Sequence, residues 1–77
     1  MKAQMKAQAK ENLQRIADEF GLGANSKNIA NEAYWRMIAL GYKVYIINER
    51  YLEVEGEEYR FSKNSKEGKW MVKPIAE

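Results

Sequence analysis

The sequence predicts an α+β fold in which two N-terminal helices pack on one face of a three- to four-stranded antiparallel β-meander. Three observations carry that expectation. Apolar residues recur at steps of three and four before Gly41 and at steps of two after it, the side-chain periods of helix and strand. Gly, Asn and Ser cluster where one period gives way to the next. The 77 residues suffice for one domain with a thin core, since a chain this short buries only roughly 60–65% of the surface it exposes when unfolded.

The first helix is expected over about 3–20. Its residues are rich in Ala, Gln, Lys, Glu and Leu, which are good helix formers. Met5, Ala9, Leu13, Ile16 and Phe20 form one apolar stripe, and Ala17 widens it. Gly21 is placed to take a left-handed position just past the helix, with Leu22 folding back onto it. Asn25 or Ser26 suits the cap of a second helix over about 27–40, because either side-chain oxygen can accept an orphan backbone N–H. On this helix Ile29, Ala30, Ala33, Met37 and Leu40 share a face, Tyr34 and Ile38 flank it, and Trp35 and Ala39 lie across from it. A helix that is apolar nearly all round must be covered on more than one side. The first helix can cover one side, and the sheet or a partner the other.

Strands are expected over about 42–48, 50–55, 58–63 and 69–73, where β-branched and aromatic residues dominate. Alternation puts Val44, Ile46, Leu52, Val54, Tyr59, Phe61, Trp70 and Val72 beneath the helices. It puts Lys43, Tyr45, Ile47, Tyr51, Glu53, Glu55, Glu58, Arg60, Lys69, Met71 and Lys73 on the open face. Pro74 cannot donate to a ladder and so ends the last strand at a sheet edge. A three-residue loop at Asn48-Glu49-Arg50 sets Ile46 opposite Leu52 and Lys43 opposite Glu55. A Gly56-Glu57 turn of type II′ sets Leu52 opposite Phe61 and Glu53 opposite Arg60, a favourable charge pair. A loop over 64–67 sets Phe61 opposite Trp70. Each choice keeps the same apolar set on one face.

Much chemistry is excluded by composition. The absence of Cys removes disulfides, thiolate nucleophiles and zinc–cysteine sites, and the absence of His removes the commonest general base and transition-metal ligand. Ser26, Ser62 and Ser65 lie in no nucleophile elbow. Glu53, Glu55, Glu57 and Glu58 surround a hairpin turn rather than facing each other across a cleft, as glycosidase-type work requires. No oxygen-ligand metal loop or phosphate-binding loop is present. The expectation is therefore a protein that is not an enzyme and has neither cofactor nor metal. No run approaches the roughly 20 apolar residues of a membrane span, and the opening residues lack the apolar core of a signal peptide, so a soluble cytoplasmic protein is expected.

The formal charge of +2 is unevenly spread. Residues 1–30 hold five bases and three acids, 31–58 three bases and six acids, and 59–77 five bases and two acids. The last band interleaves Tyr59, Phe61 and Trp70 with Arg60, Lys63, Lys66, Lys69 and Lys73, a mixture used by single-strand nucleic-acid platforms. The alternation, however, turns those rings inward, and lysines also protect sheet edges. A nucleic-acid-binding protein using these bases, with Lys2, Lys6 and Lys10 in support, is thus the alternative expectation.

The favoured expectation is a small protein-binding module that contacts its partner through Trp35, Ile38, Tyr45, Ile47, Tyr51 and Met71, since exposed aromatics among apolar neighbours anchor interfaces. Pairing with itself through the same patch, as a homodimer, is a close variant. Size and missing chemistry together suggest, by analogy alone, an inhibitor of the kind found among phage and mobile-element accessory proteins, acting in the host cytoplasm by occluding a partner surface.

Overall fold

The computed structural model describes the backbone of residues 2–75 and the side chains of 8–75; the expectations for Met5, Lys2 and Lys6 fall outside the described side chains. Two helices, α1 (Lys2–Asp18) and α2 (Ser26–Ala39), precede four strands: β1 (Val44–Asn48), β2 (Tyr51–Val54), β3 (Glu57–Asn64) and β4 (Lys69–Pro74). The strands form one antiparallel sheet in the order β1-β2-β3-β4, so β1 and β4 are its edges. This is the α+β meander that the change of period predicts. α1 lies over β4, and α2 lies over β1, β2 and β3.

The helix ends follow local chemistry, with one departure from expectation. Asn25 caps α2, its Oδ1 accepting the Asn28 N–H at 2.9 Å. At the other end Gly41 adopts φ 97° and donates to the Ile38 carbonyl, while Tyr42 donates to the Met37 carbonyl, the two bonds of a Schellman turn. That turn carries Leu40 off the core stripe and leaves it exposed, against expectation. Gly21 does not take the left-handed position. α1 stops earlier, tightened by bonds from Glu19 to Ile16 and from Phe20 to Ala17, and the Gly21 carbonyl receives Ala24 N–H and the Trp70 indole N–H instead.

The core forms where the two stripes meet the inner sheet face. Ala9, Leu13, Ile16 and Ala17 of α1 join Ile29, Ala30, Ala33 and Met37 of α2 over Val44, Leu52, Val54, Tyr59, Phe61, Trp70 and Val72. Ile46 sits on the same sheet face, opposite Leu52, yet it is 45% exposed, on the edge strand β1. Beside the core, Arg36 of α2 pairs with Glu32 one turn back and with Glu19 at the end of α1. The Glu32 carboxylate, and after it Glu19, hold this guanidinium above its ordinary value.

The faces of the sheet match the alternation, but two registers differ by two residues from the expected ones. The β2–β3 turn is Glu55-Gly56, not Gly56-Glu57. Both residues have positive φ, 51° and 84°, as a type I′ turn requires. Leu52 therefore faces Tyr59, and Glu53 faces Glu58 rather than Arg60. The β3–β4 loop runs over 65–68, not 64–67, because the Asn64 carbonyl accepts from Gly68 and its side chain from Glu67; Phe61 therefore faces Val72 rather than Trp70. Between β1 and β2, Ile46 faces Leu52 as expected. The turn, however, is Glu49-Arg50 with a bulge at Ile47, held by Asn48 Oδ1 accepting the Arg50 N–H. A shift of two residues keeps every side chain on its face. A surface charge pair contributes only about 0.2–1 kcal/mol, so turn geometry outweighs the lost Glu53–Arg60 pair.

Candidate functional site

The two edges of the sheet are finished in different ways. Along β4 the residues turned toward β3 are fixed by the bond from Ile75 N–H to the Glu58 carbonyl. Alternation then points the N–H and C=O groups of Trp70, Val72 and Pro74 outward. Gln14 of α1 meets them with one side chain. Its Nε2 donates to the Trp70 carbonyl at 2.9 Å, and its Oε1 accepts from the Val72 N–H at 2.9 Å. Pro74, at the next outward position, has no N–H to offer. A helix amide and a proline thus close this edge.

Among the described residues β1 has no such cover. Lys43 exchanges two bonds with Glu55: its carbonyl accepts the Glu55 N–H at 2.9 Å, and its N–H donates to Glu55 Oε2 at 2.7 Å. The alternation that follows turns Tyr45 toward Glu53 and points the backbone groups of Val44 and Ile46 away from β2, out of the sheet. Large apolar side chains surround this open edge. Tyr45 is 62% exposed on the outer face, and Ile46 and Ile47 are nearly half exposed. Lys27, Ala30 and Asn31 of α2 line a groove of about 390 Å³ with Ile46, Asn48 and Glu49. Helix periodicity carries that same flank of α2 on through Tyr34 to exposed Ile38. Trp35, 60% exposed, follows Tyr34 on α2, its ring edge-on to Tyr34 with centroids 5.1 Å apart.

Four of the six residues expected to contact a partner are exposed: Trp35 and Ile38 on α2, Tyr45 and Ile47 on β1. Tyr51 follows on the neighbouring strand, opposite Asn48, and is half-buried. Met71 lies apart from them on β4, three strands from β1 or about 14 Å across the sheet, and is half-buried. Ile46 and Gln14 escape sequence reasoning. Alternation alone assigns Ile46 to the core, and nothing local marks one glutamine on a polar helix flank as the closure of a distant strand.

The basic residues are dispersed. Lys63 reaches over the Trp70 ring, 5.4 Å from its centroid, and Lys69 lies 3.6 Å from Asp18 and 3.8 Å from Glu67. Arg60 and Lys73 face each other across β3 and β4 on the outer face, and Lys66 lies in the loop between those strands. Arg50, Arg60 and Lys63 line a groove of about 330 Å³ whose floor includes Phe61 and Trp70. These two rings, with Tyr59, are buried in the core, so bases have no face of theirs to stack on. Among the described residues no three Asp or Glu converge as a metal site, and no helix is long and apolar enough to cross a membrane. No protein-family model, curated protein or solved structure matches the chain.

Proposed function

We propose that this chain is a non-enzymatic protein-binding module and that its contact surface is the α2–β1 side of the molecule. A single observation supports this most strongly: Trp35 and Ile38 of α2 and Tyr45, Ile46 and Ile47 of β1 are all exposed, and among the described residues the β1 edge is left open while the β4 edge is closed. Burying large aromatic and aliphatic side chains is what gives protein interfaces their affinity. An open strand adds main-chain bonding to whatever approaches. In this reading the module acts by covering a partner's surface. The test is affinity capture from a lysate of the source cell, with and without nuclease. Capture should survive nuclease and fall at least tenfold for Trp35→Ala combined with Tyr45→Ala, a loss of about 1.4 kcal/mol or more. Unchanged capture by the folded double variant overturns the reading.

Nucleic-acid binding is the second reading, supported by the groove where Arg50, Arg60 and Lys63 meet. It requires retention on single- or double-stranded nucleic acid that weakens steeply with salt, through counterion release. Lys66, Lys69 and Lys73 would contribute charge along the same hairpin. A protein that passes unretained at low salt removes this reading.

A further inference from the structure

We infer that the groove bordered by Arg50, Arg60 and Lys63 is a binding site for the backbone phosphates of a single-stranded nucleic acid, taken up by charge and without stacking of its bases. The inference rests on the nucleic-acid reading above and names the site and the chemical group it holds. It does not involve the α2–β1 surface.

The groove arises from unequal strands. β3 runs over Glu57–Asn64, but β2 starts only at Tyr51, opposite Arg60. One further bond, from the Phe61 N–H to the Arg50 carbonyl at 2.9 Å, ends their contact, since Glu49-Arg50 is the turn from β1. Lys63, two residues past Phe61, turns its N–H and C=O to that same side, where β2 no longer runs. The result is a notch in the sheet that both faces border. Arg60 and Ser62 reach it from the outer face, Phe61, Lys63 and Trp70 from the helix side, and Arg50 from the turn, around about 330 Å³.

The charge of the notch is one-signed. Three bases line it and no acid does. Glu49, beside Arg50 in sequence, lines the separate groove against α2, and Glu53 and Glu58 face each other one row nearer the other hairpin turn. Among the described residues no ion pair engages Arg50, Arg60 or Lys63. Two of the three are restrained without being neutralised. The Arg50 backbone is tied at its carbonyl to Phe61 and at its N–H to Asn48 Oδ1, 3.0 Å away, and the Lys63 ammonium rests 5.4 Å from the centre of the Trp70 ring.

Three cations exceed what one carboxylate neutralises, whereas a nucleic-acid strand carries a charge at every nucleotide, and guanidinium groups match phosphate oxygens two at a time. A recess between a turn and a strand admits a flexible single strand more readily than a duplex, which is stiff over about 150 base pairs. Phe61 and Trp70 are buried, so the bases find no ring to stack on, and recognition is indifferent to sequence.

The experiment is fluorescence anisotropy of a labelled oligothymidine of about 12 nucleotides with the full chain, from about 50 to 200 mM salt, with circular dichroism to establish folding. The logarithm of the affinity should fall against that of the salt concentration with a slope of about −2, as three phosphate contacts on a single strand require. Arg50→Gln combined with Lys63→Gln should lower the affinity at 50 mM salt at least tenfold and bring the slope to about −0.7. Lys27→Gln, away from the notch, should change neither. An abasic oligomer of the same length should bind within about twofold of oligothymidine, because no stacking is lost. Binding that persists in the folded double variant overturns the site and leaves the nucleic-acid reading intact. No binding at low salt overturns both. A tenfold loss on the abasic strand, tighter binding of a duplex, or polyglutamate bound as tightly and lost in the same variant each overturns the assignment to single-strand phosphates.

Discussion

Glu55 grips Lys43 with its backbone and its side chain at once: its N–H donates to the Lys43 carbonyl at 2.9 Å, and its carboxylate accepts the Lys43 N–H at 2.7 Å. The grip compensates for a left-handed backbone at Glu55, a conformation that costs a non-glycine residue about 1–2 kcal/mol. It also fixes which groups of β1 face outward, and so determines the surface that a partner would meet.

Glu55→Gln keeps the reach of the side chain and gives up only the charge of the acceptor, for an expected loss of about 0.5–1 kcal/mol. Glu55→Val removes the acceptor and places a β-branched residue at φ 51°, for a loss of about 2–4 kcal/mol. Urea midpoints check both. Equal losses for the two variants mean that the carboxylate bond, and not the turn conformation, sets the cost.

Gly56→Ala is expected to cost about 1–2 kcal/mol through backbone strain alone, because a Cβ there meets nothing within 4 Å while φ is 84°. Gly23→Ala, equally open and without positive φ, should be neutral or stabilise by up to about 1 kcal/mol by restricting the unfolded chain. Thermal unfolding of the pair separates turn geometry from packing.

These turn residues also show how far the sequence could be read. The layers, the four strands and the buried rings Phe61 and Trp70 follow from a period of two, which is robust because one slipped residue would expose the core. The absolute pairing of β2 with β3 is not legible in the same way. The two candidate registers differ by two residues and keep identical faces, so the decision passes to φ at Glu55 and to a bond with Lys43 twelve positions away. A cross-strand Glu53–Arg60 attraction is too weak to decide it. At the candidate site, Trp35 was legible because a helix wheel places it off the core. Exposed Ile46 was not, since alternation says which face a residue occupies and nothing about how completely that face is covered at an edge strand.

Gln14→Leu should cost about 1–3 kcal/mol, leaving the Trp70 carbonyl and Val72 N–H of a partly buried edge without their partner. Amide hydrogen exchange at Val72 should accelerate far more than at Phe61, whose N–H bonds to the Arg50 carbonyl within the sheet. Equal acceleration at both amides would show general destabilisation rather than loss of an edge closure.

Phe61→Ala is expected to remove about 3–5 kcal/mol, against a total on the order of 4–12 kcal/mol for 77 residues. Trp35→Ala, on the exposed side, should lose no more than about 1 kcal/mol, the scale of its edge-on contact with Tyr34. Chemical denaturation of the two variants distinguishes a ring that supports the fold from one left over for contact.

The amide of Gln14 and the ring of Pro74 have a consequence for how large any assembly can become. Strands that stack rim to rim polymerise when both rims of the sheet are adhesive, and fibres result. Here one rim is blunted. Any association through β1 would therefore leave the blunted β4 rim facing outward, and rim-to-rim growth could not continue through it.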